Sequence, residues 1–119
     1  MEEYVDGFLL PVPKANLADY KKMAEQAKVV WLDHGALDYR ECVADEPGGE
    51  NMRSFAEAAG VKDGETAVFA WILYASKAER DRINPLVMAD PRLANMSGCE
   101  NVFDFKRMCW GGFTTLVSK

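Results

Sequence analysis

Imidazole and thiol are scarce in this chain. It has one histidine, His34, and three cysteines, Cys42, Cys99 and Cys109, in 119 residues. No two cysteines stand at C-x-x-C spacing, so the four-ligand set of a structural zinc site is missing and no metal is expected. The start, Met1-Glu2-Glu3-Tyr4, is acidic and leads straight into a strand-like run. With an odd cysteine count and no leader-like segment, it predicts reduced thiols and a cytoplasmic location. Long apolar runs are also lacking, and none approaches the ~20 residues that cross a bilayer. Positive charge is in deficit: 14 Lys and Arg stand against 19 Asp and Glu, a net charge of −5. Lys21-Lys22 and Lys106-Arg107 are the only adjacent basic pairs, with Asp19 and Glu25 close to the first and Asp104 close to the second. Nucleic-acid binding draws on a basic face, so the charge opposes an RNA-binding reading. No glycine-rich loop opens a helix, and no cofactor is expected.

What the chain does have is an alternation of elements. Tyr4 to Val12 is aromatic and aliphatic and ends at Pro11 and Pro13, a first strand. Asn16 is placed to cap a helix in which Leu17, Tyr20, Ala24, Ala27 and Trp31 recur at helical spacing. Gly35 stands where a left-handed residue would end it. Ala36 to Ala44 alternates, with Leu37, Tyr39, Glu41 and Val43 on one side, a second strand. The stretch 46–64 is long for a hairpin; it holds a short helix near Ser54–Gly60 and reads as an embellishment or a lid. Glu65 to Ala75 is apolar on both sides and so central. Ser76 and Glu79 form a capping box for a second helix, in which Pro85 predicts a break or kink near Asn84. Lys106 to Val117 is the fourth strand, where Gly111-Gly112 suggests a bulge or a close approach.

The order β-α-β-β-α-β is the ferredoxin-like arrangement, an α+β fold with one antiparallel sheet in the order 4-1-3-2. One domain over 1–119 is expected. Right-handed crossovers put both helices on one face. Phe8, Leu10, Trp71, Leu73, Trp110 and Phe113 cannot all lie beneath them, because adjacent strand residues point to opposite faces. An apolar sheet face seeks cover. Two sheets packed face to face about a two-fold axis would provide it, which predicts a homodimer, a dimeric α/β barrel. The alternative cover is the 46–64 connection.

Four motifs in order, Tyr4-Val5-Asp6-Gly7-Phe8, Val68-Phe69-Ala70-Trp71-Ile72, Met88-Ala89-Asp90-Pro91-Arg92 and Lys106-Arg107-Met108 with Gly111-Gly112-Phe113, resemble the DUF1428 family. These are small bacterial dimeric α/β-barrel proteins of unknown function. The resemblance spans nearly the whole chain. The family has no established catalytic residues, so no role is carried over. Family members read more like PFDGKRM where this chain has Val102-Phe103-Asp104-Phe105-Lys106-Arg107-Met108, which implies a different turn. Some relatives bear a name linked to signal-recognition-particle RNA, for which the acidic balance offers no physical support.

Candidate chemistry rests on a few residues. Asp6, in a central strand, reads as a buried base, as the partner of Arg40 or Arg107, or as a residue at the open end of the strand. His34 reads as a general base or as a cation at the negative end of the first helix. Arg107 could join either in a pocket. Phe8, Tyr39, Trp71, Tyr74 and Trp110 could line an apolar ligand cavity or serve as core and interface packing. Arg80, Asp81 and Arg82 read as a solvated helix face. Cys42 and Cys109 fall on opposite sheet edges, too far apart for an intrachain disulfide, and Cys99 falls in a polar loop. Three functions remain: a small-molecule enzyme or binding protein using a subunit cavity, monooxygenase-like by fold analogy; a non-catalytic interaction or regulatory module; and RNA binding. No motif decides between catalysis and binding.

Overall fold

The first and third strands pair along their whole ten-residue lengths, and the rest of the molecule is arranged around them. In the computed structural model, which describes residues 2–94 and 101–119, β1 (Tyr4–Pro13) lies antiparallel to β3 (Glu65–Tyr74), from Tyr4 opposite Tyr74 to Pro13 opposite Glu65. β2 (Asp38–Val43) pairs with the other side of β3, and β4 (Cys109–Thr114) with the other side of β1. The antiparallel sheet has the order β2-β3-β1-β4, the predicted 4-1-3-2.

α1 (Leu17–Asp33) buries Tyr20, Ala27 and Val30 and turns Lys21, Lys22, Glu25 and Lys28 to solvent. Asn16 does not cap it. Its amide donates instead to the carbonyl of Val102 at 3.0 Å, tying the start of the helix to the segment before β4. Gly35 ends the helical region as expected, with φ +118°; a side chain there would press on the Arg82 guanidinium. α2 (Phe55–Ala59) is capped by the Ser54 hydroxyl.

α3 (Lys77–Met88) starts at the Ser76 cap, whose hydroxyl accepts from the Glu79 N–H at 3.1 Å. The break predicted at Pro85 does not occur, and the helix runs through it. Pro85 is exposed, so the hydrogen bond it removes lies on the wet side. On the other side Ile83 and Val87 are fully buried against the sheet. Burial of that kind contributes roughly 1.5–3 kcal/mol per side chain, enough to offset one lost bond. α4 (Pro91–Ala94) is a single turn whose start is held by the Asp90 carboxylate, accepting from the Arg92 N–H. β4 is shorter than predicted, because Phe105–Arg107 form a 3-10 turn capped by Asp104. Gly111 and Gly112 sit in regular register with Gly7 and Asp6, with no bulge. The close approach is real: the Phe113 ring lies over Gly7 and Gly111, and a Cβ at Gly112 would collide with the Tyr4 hydroxyl.

The pleat sorts the side chains. Tyr4, Asp6, Phe8, Leu10 and Val12 of β1 face α1 and α3, with Tyr39, Glu41, Val68, Ala70, Ile72, Tyr74 and Trp110 on the same side. Two core clusters lie there, one around Val30, Ile72, Tyr74, Ile83 and Val87, the other around Leu10, Val12, Tyr20, Val68 and Phe103. The outer face carries Val5, Leu9, Phe69, Trp71, Leu73 and Phe113. The 46–64 connection covers only one end of it. There α2 packs on β1 and β3, and Phe55 meets Phe69 with ring centroids 5.8 Å apart. Phe69 remains 45% exposed and Phe113 59%.

Candidate functional site

Asp6 is 1% exposed, in the middle of β1 and beneath α3. Its partner is neither Arg40 nor Arg107. Arg80 Nη1 donates to Asp6 Oδ1 at 2.7 Å, and Asn84 Nδ2 donates to Oδ2 at 3.3 Å. Arg80 and Asn84 are four residues apart and share the face that carries Ile83 and Val87. Arg80 is thus no part of a solvated face: its side chain is 13% exposed, with the guanidinium carbon 4.8 Å from the Tyr4 ring centroid. The Asn84 Oδ1 accepts from the Tyr74 hydroxyl at 2.9 Å and from the Trp31 indole N–H at 3.2 Å. Burial, reinforced by the Asp6 charge, pushes the Tyr74 hydroxyl pKa up. The result is one connected network from α1 through β3 and α3 to β1, with the carboxylate charge matched by a guanidinium.

A second carboxylate lies under α1. Glu41, on the inner face of β2, accepts a short hydrogen bond from the Tyr20 hydroxyl on one oxygen and another from Tyr39 on the other, at 2.6 Å. Burial and the nearby Glu41 charge raise both tyrosine pKa values well above the usual phenol range. Phe103 meets the Tyr20 ring edge-on at 5.6 Å, and Trp31 leans on Tyr39 at 6.0 Å.

Between the two carboxylates is a cavity of about 650 Å³. Asp6 and Asn84 supply one polar wall and Tyr20, Tyr39 and Glu41 another; Phe8, Trp31, Phe103 and Trp110 supply the apolar surface. A groove of about 370 Å³ lies outside, between α1 and β2, and Tyr20, Tyr39 and Glu41 line it as well. The three side chains therefore form a wall common to groove and cavity.

Of the residues singled out from sequence, Asp6, Phe8, Tyr39 and Trp110 line the cavity. Tyr74 sits behind it and orients Asn84. Trp71 is on the outer face, with the Arg40 guanidinium 5.7 Å from its ring centroid. His34 is at the end of α1, where its Nε2 lies 2.8 Å from Asp90 Oδ2. Arg92 binds Asp90 and Asp33 there, and hydrogen bonds from Arg92 and then His34 hold the Asp90 carboxyl far below the carboxylate range. Arg107 is elsewhere again. It forms a two-pronged pair with Glu65, at 2.7 and 2.8 Å, and donates to the Gly60 carbonyl. The bonds from Arg107, and then one from the Lys62 N–H, bring the Glu65 pKa down to about 2. Cys42 and Cys109 are free and exposed on the two edge strands, and Cys99 lies outside the described residues. Arg80, Asn84 and Glu41, and with them Tyr20, Trp31 and Phe103, belong to the site and were not singled out for it from sequence. Arg80 and Asn84 carried a signal in their i, i+3, i+4, i+7 phase with Ile83 and Val87. Glu41 carried one in its alternation with Tyr39 and Val43, which puts an acid on an inward face.

A four-stranded antiparallel sheet with both crossover helices on one face and a cavity beneath them makes this a ferredoxin-like α+β protein. Solved structures share the arrangement. SnoaB, a cofactor-independent oxygenase from Streptomyces nogalater, superposes with a TM-score of 0.61 at 12% identity, over 99% of this chain and 97% of that one. A dimeric ferredoxin-like protein from an uncultured marine organism gives 0.62 at 7% identity, over the full length of both. Identities this low establish the fold alone. The chain belongs to the family described as protein of unknown function, DUF1428, whose model matches residues 3–105. It is 37% identical over 117 residues to the uncharacterized protein YbaA of Escherichia coli K12, covering 98% of this chain and 99% of that protein. Among the described residues no helix is long and apolar enough to cross a membrane.

Proposed function

We propose that the chain is a cytoplasmic homodimer that binds a small apolar or aromatic molecule in the cavity of each subunit. The observation that carries this reading is the cavity itself. It has the volume of a small-molecule site, aromatic walls, and polar groups converging from two sides. A core filled to ordinary packing density would leave no such space. The likeness to a cofactor-independent oxygenase suggests turnover of the bound molecule, on fold analogy. The outer face supports the dimer: Phe69 stays 45% exposed beside Phe55 of α2, Trp71 and Phe113 continue the same face, and sheet-to-sheet packing would hide them. Two exposed free thiols suit a reducing compartment.

Thermal-shift screening against aromatic and apolar metabolites tests the binding claim. A ligand at a hundred times its Kd adds about 2.7 kcal/mol to stability, a rise of several degrees in Tm. Oxygen uptake on adding a bound aromatic marks turnover. Binding without uptake marks a binding protein, and no shift from any class of ligand refutes the cavity reading. An interaction module is the second reading, favoured by Leu116 and Val117, almost fully exposed in the extended tail after β4.

A further inference from the structure

The two carboxylates on the cavity walls are not equivalent. Asp6 is neutralised within the fold by Arg80. Glu41 receives only neutral donors, the hydroxyls of Tyr20 and Tyr39. Among the described residues no Lys, Arg or His stands within ion-pairing distance of it. Lys21 and Lys28 approach from the other side of the wall, lining the outer groove with Glu25. An ionised carboxylate has about four acceptor positions, and the tyrosines use two. Glu41 therefore presents spare acceptor capacity and an unmatched negative charge to a space that is otherwise largely aromatic.

From this imbalance we infer that the cavity selects a molecule with a protonated amine attached to an apolar or aromatic body, with Glu41 as its counter-ion. The inference rests on the cavity reading and gives it a ligand class. An ammonium group brings three donors and a full charge, which matches the open positions of the carboxylate. The rings of Trp31, Tyr39 and Tyr20 line the same cavity and supply an aromatic surface for the body of such a molecule. A carboxylate-bearing ligand would face like-charge repulsion, and a neutral alcohol would supply one donor and no charge.

The test is isothermal titration of the full chain at pH 7 with matched series on benzyl, naphthyl and indole bodies, each as the amine, the alcohol and the carboxylate. On any body that binds, the amine should be tighter than the alcohol by at least about tenfold, as expected for a charge-assisted hydrogen bond. The carboxylate should be the weakest. In Glu41→Gln, which keeps one acceptor oxygen and turns the other position into a donor, the amine's advantage over the alcohol should fall to about twofold or less, because the full charge is gone. If this variant fails to fold, the wild-type ranking decides alone. Equal affinity for amine and alcohol, or a preference for the carboxylate, overturns the inference and leaves the cavity reading standing. Binding of nothing on any body refutes both.

Discussion

Removing Arg80 should injure this protein more than removing the acid it serves. In Arg80→Met the aliphatic bulk is kept and the charge is lost, so Asp6, 1% exposed, is left with one amide donor from Asn84. Breaking a buried pair in this way costs about 3–5 kcal/mol, because the surviving charge has no compensation. Asp6→Asn leaves Arg80 better placed. The arginine keeps its bond from Nε to Asp81 at 2.9 Å, has some access to water, and still lies against the Tyr4 ring. A cost of about 1.5–3 kcal/mol is expected there, that of one charged hydrogen bond. The double variant should then be more stable than Arg80→Met alone. Urea unfolding monitored by circular dichroism at one fixed chain concentration, so that any self-association weighs equally, measures all four proteins. Against a total of 5–15 kcal/mol for a typical domain, the Arg80 loss should lower Tm by roughly 10–25 °C. Equal costs for the two single variants, or strict additivity in the double, would refute the claim that the buried acid depends on this guanidinium.

Three further outcomes are expected. The Glu65 pKa falls from an ordinary 4.5 to about 2 in the fold, so the unfolded chain binds more protons between those values and stability rises with pH across that window. In Arg107→Met that part of the acid-unfolding profile should flatten, a change visible in Tm measured from pH 2 to 5. Gly112→Ala places a methyl group against the Tyr4 ring and hydroxyl, and should cost about 1–3 kcal/mol in urea as an overpacking substitution. Phe113→Glu puts a charge on the uncovered outer face. Sedimentation velocity at micromolar concentration should then show single subunits where the parent shows dimers, and a parent that sediments as one subunit would end the dimer proposal.

The fold was legible because its signals are periodic. Apolar runs on both faces of Glu65–Tyr74 marked a central strand, and the Ser76–Glu79 box marked where α3 begins. What escaped were contests that pattern cannot score. Pro85 obeys its local rule less than the burial of Ile83 and Val87 around it. Asn16 has a better use than capping, because a carbonyl eighty-six residues away lies within its reach. In the site, Phe8, Tyr39 and Trp110 could be read from strand alternation, as could the choice of Asp6. Its partner could not: Arg40, Arg80 and Arg107 are equal as letters, and only the rotational phase of α3 against β1 selects among them. Trp71 shows the limit from the other side, since one face of a two-sided apolar strand looks like the other until a helix covers it.

The two flanks of the sheet are guarded differently. Along β2 the outermost backbone is fringed with Asp38, Arg40 and Glu41, charges that discourage another chain from adding a strand there. Along β4 the fringe is Cys109-Trp110-Gly111-Gly112-Phe113-Thr114, without a single charge. A lone subunit would therefore carry an open, greasy hem beside its apolar outer face. Clumping should begin at that side, and a lysine at Cys109 would be the simplest deterrent.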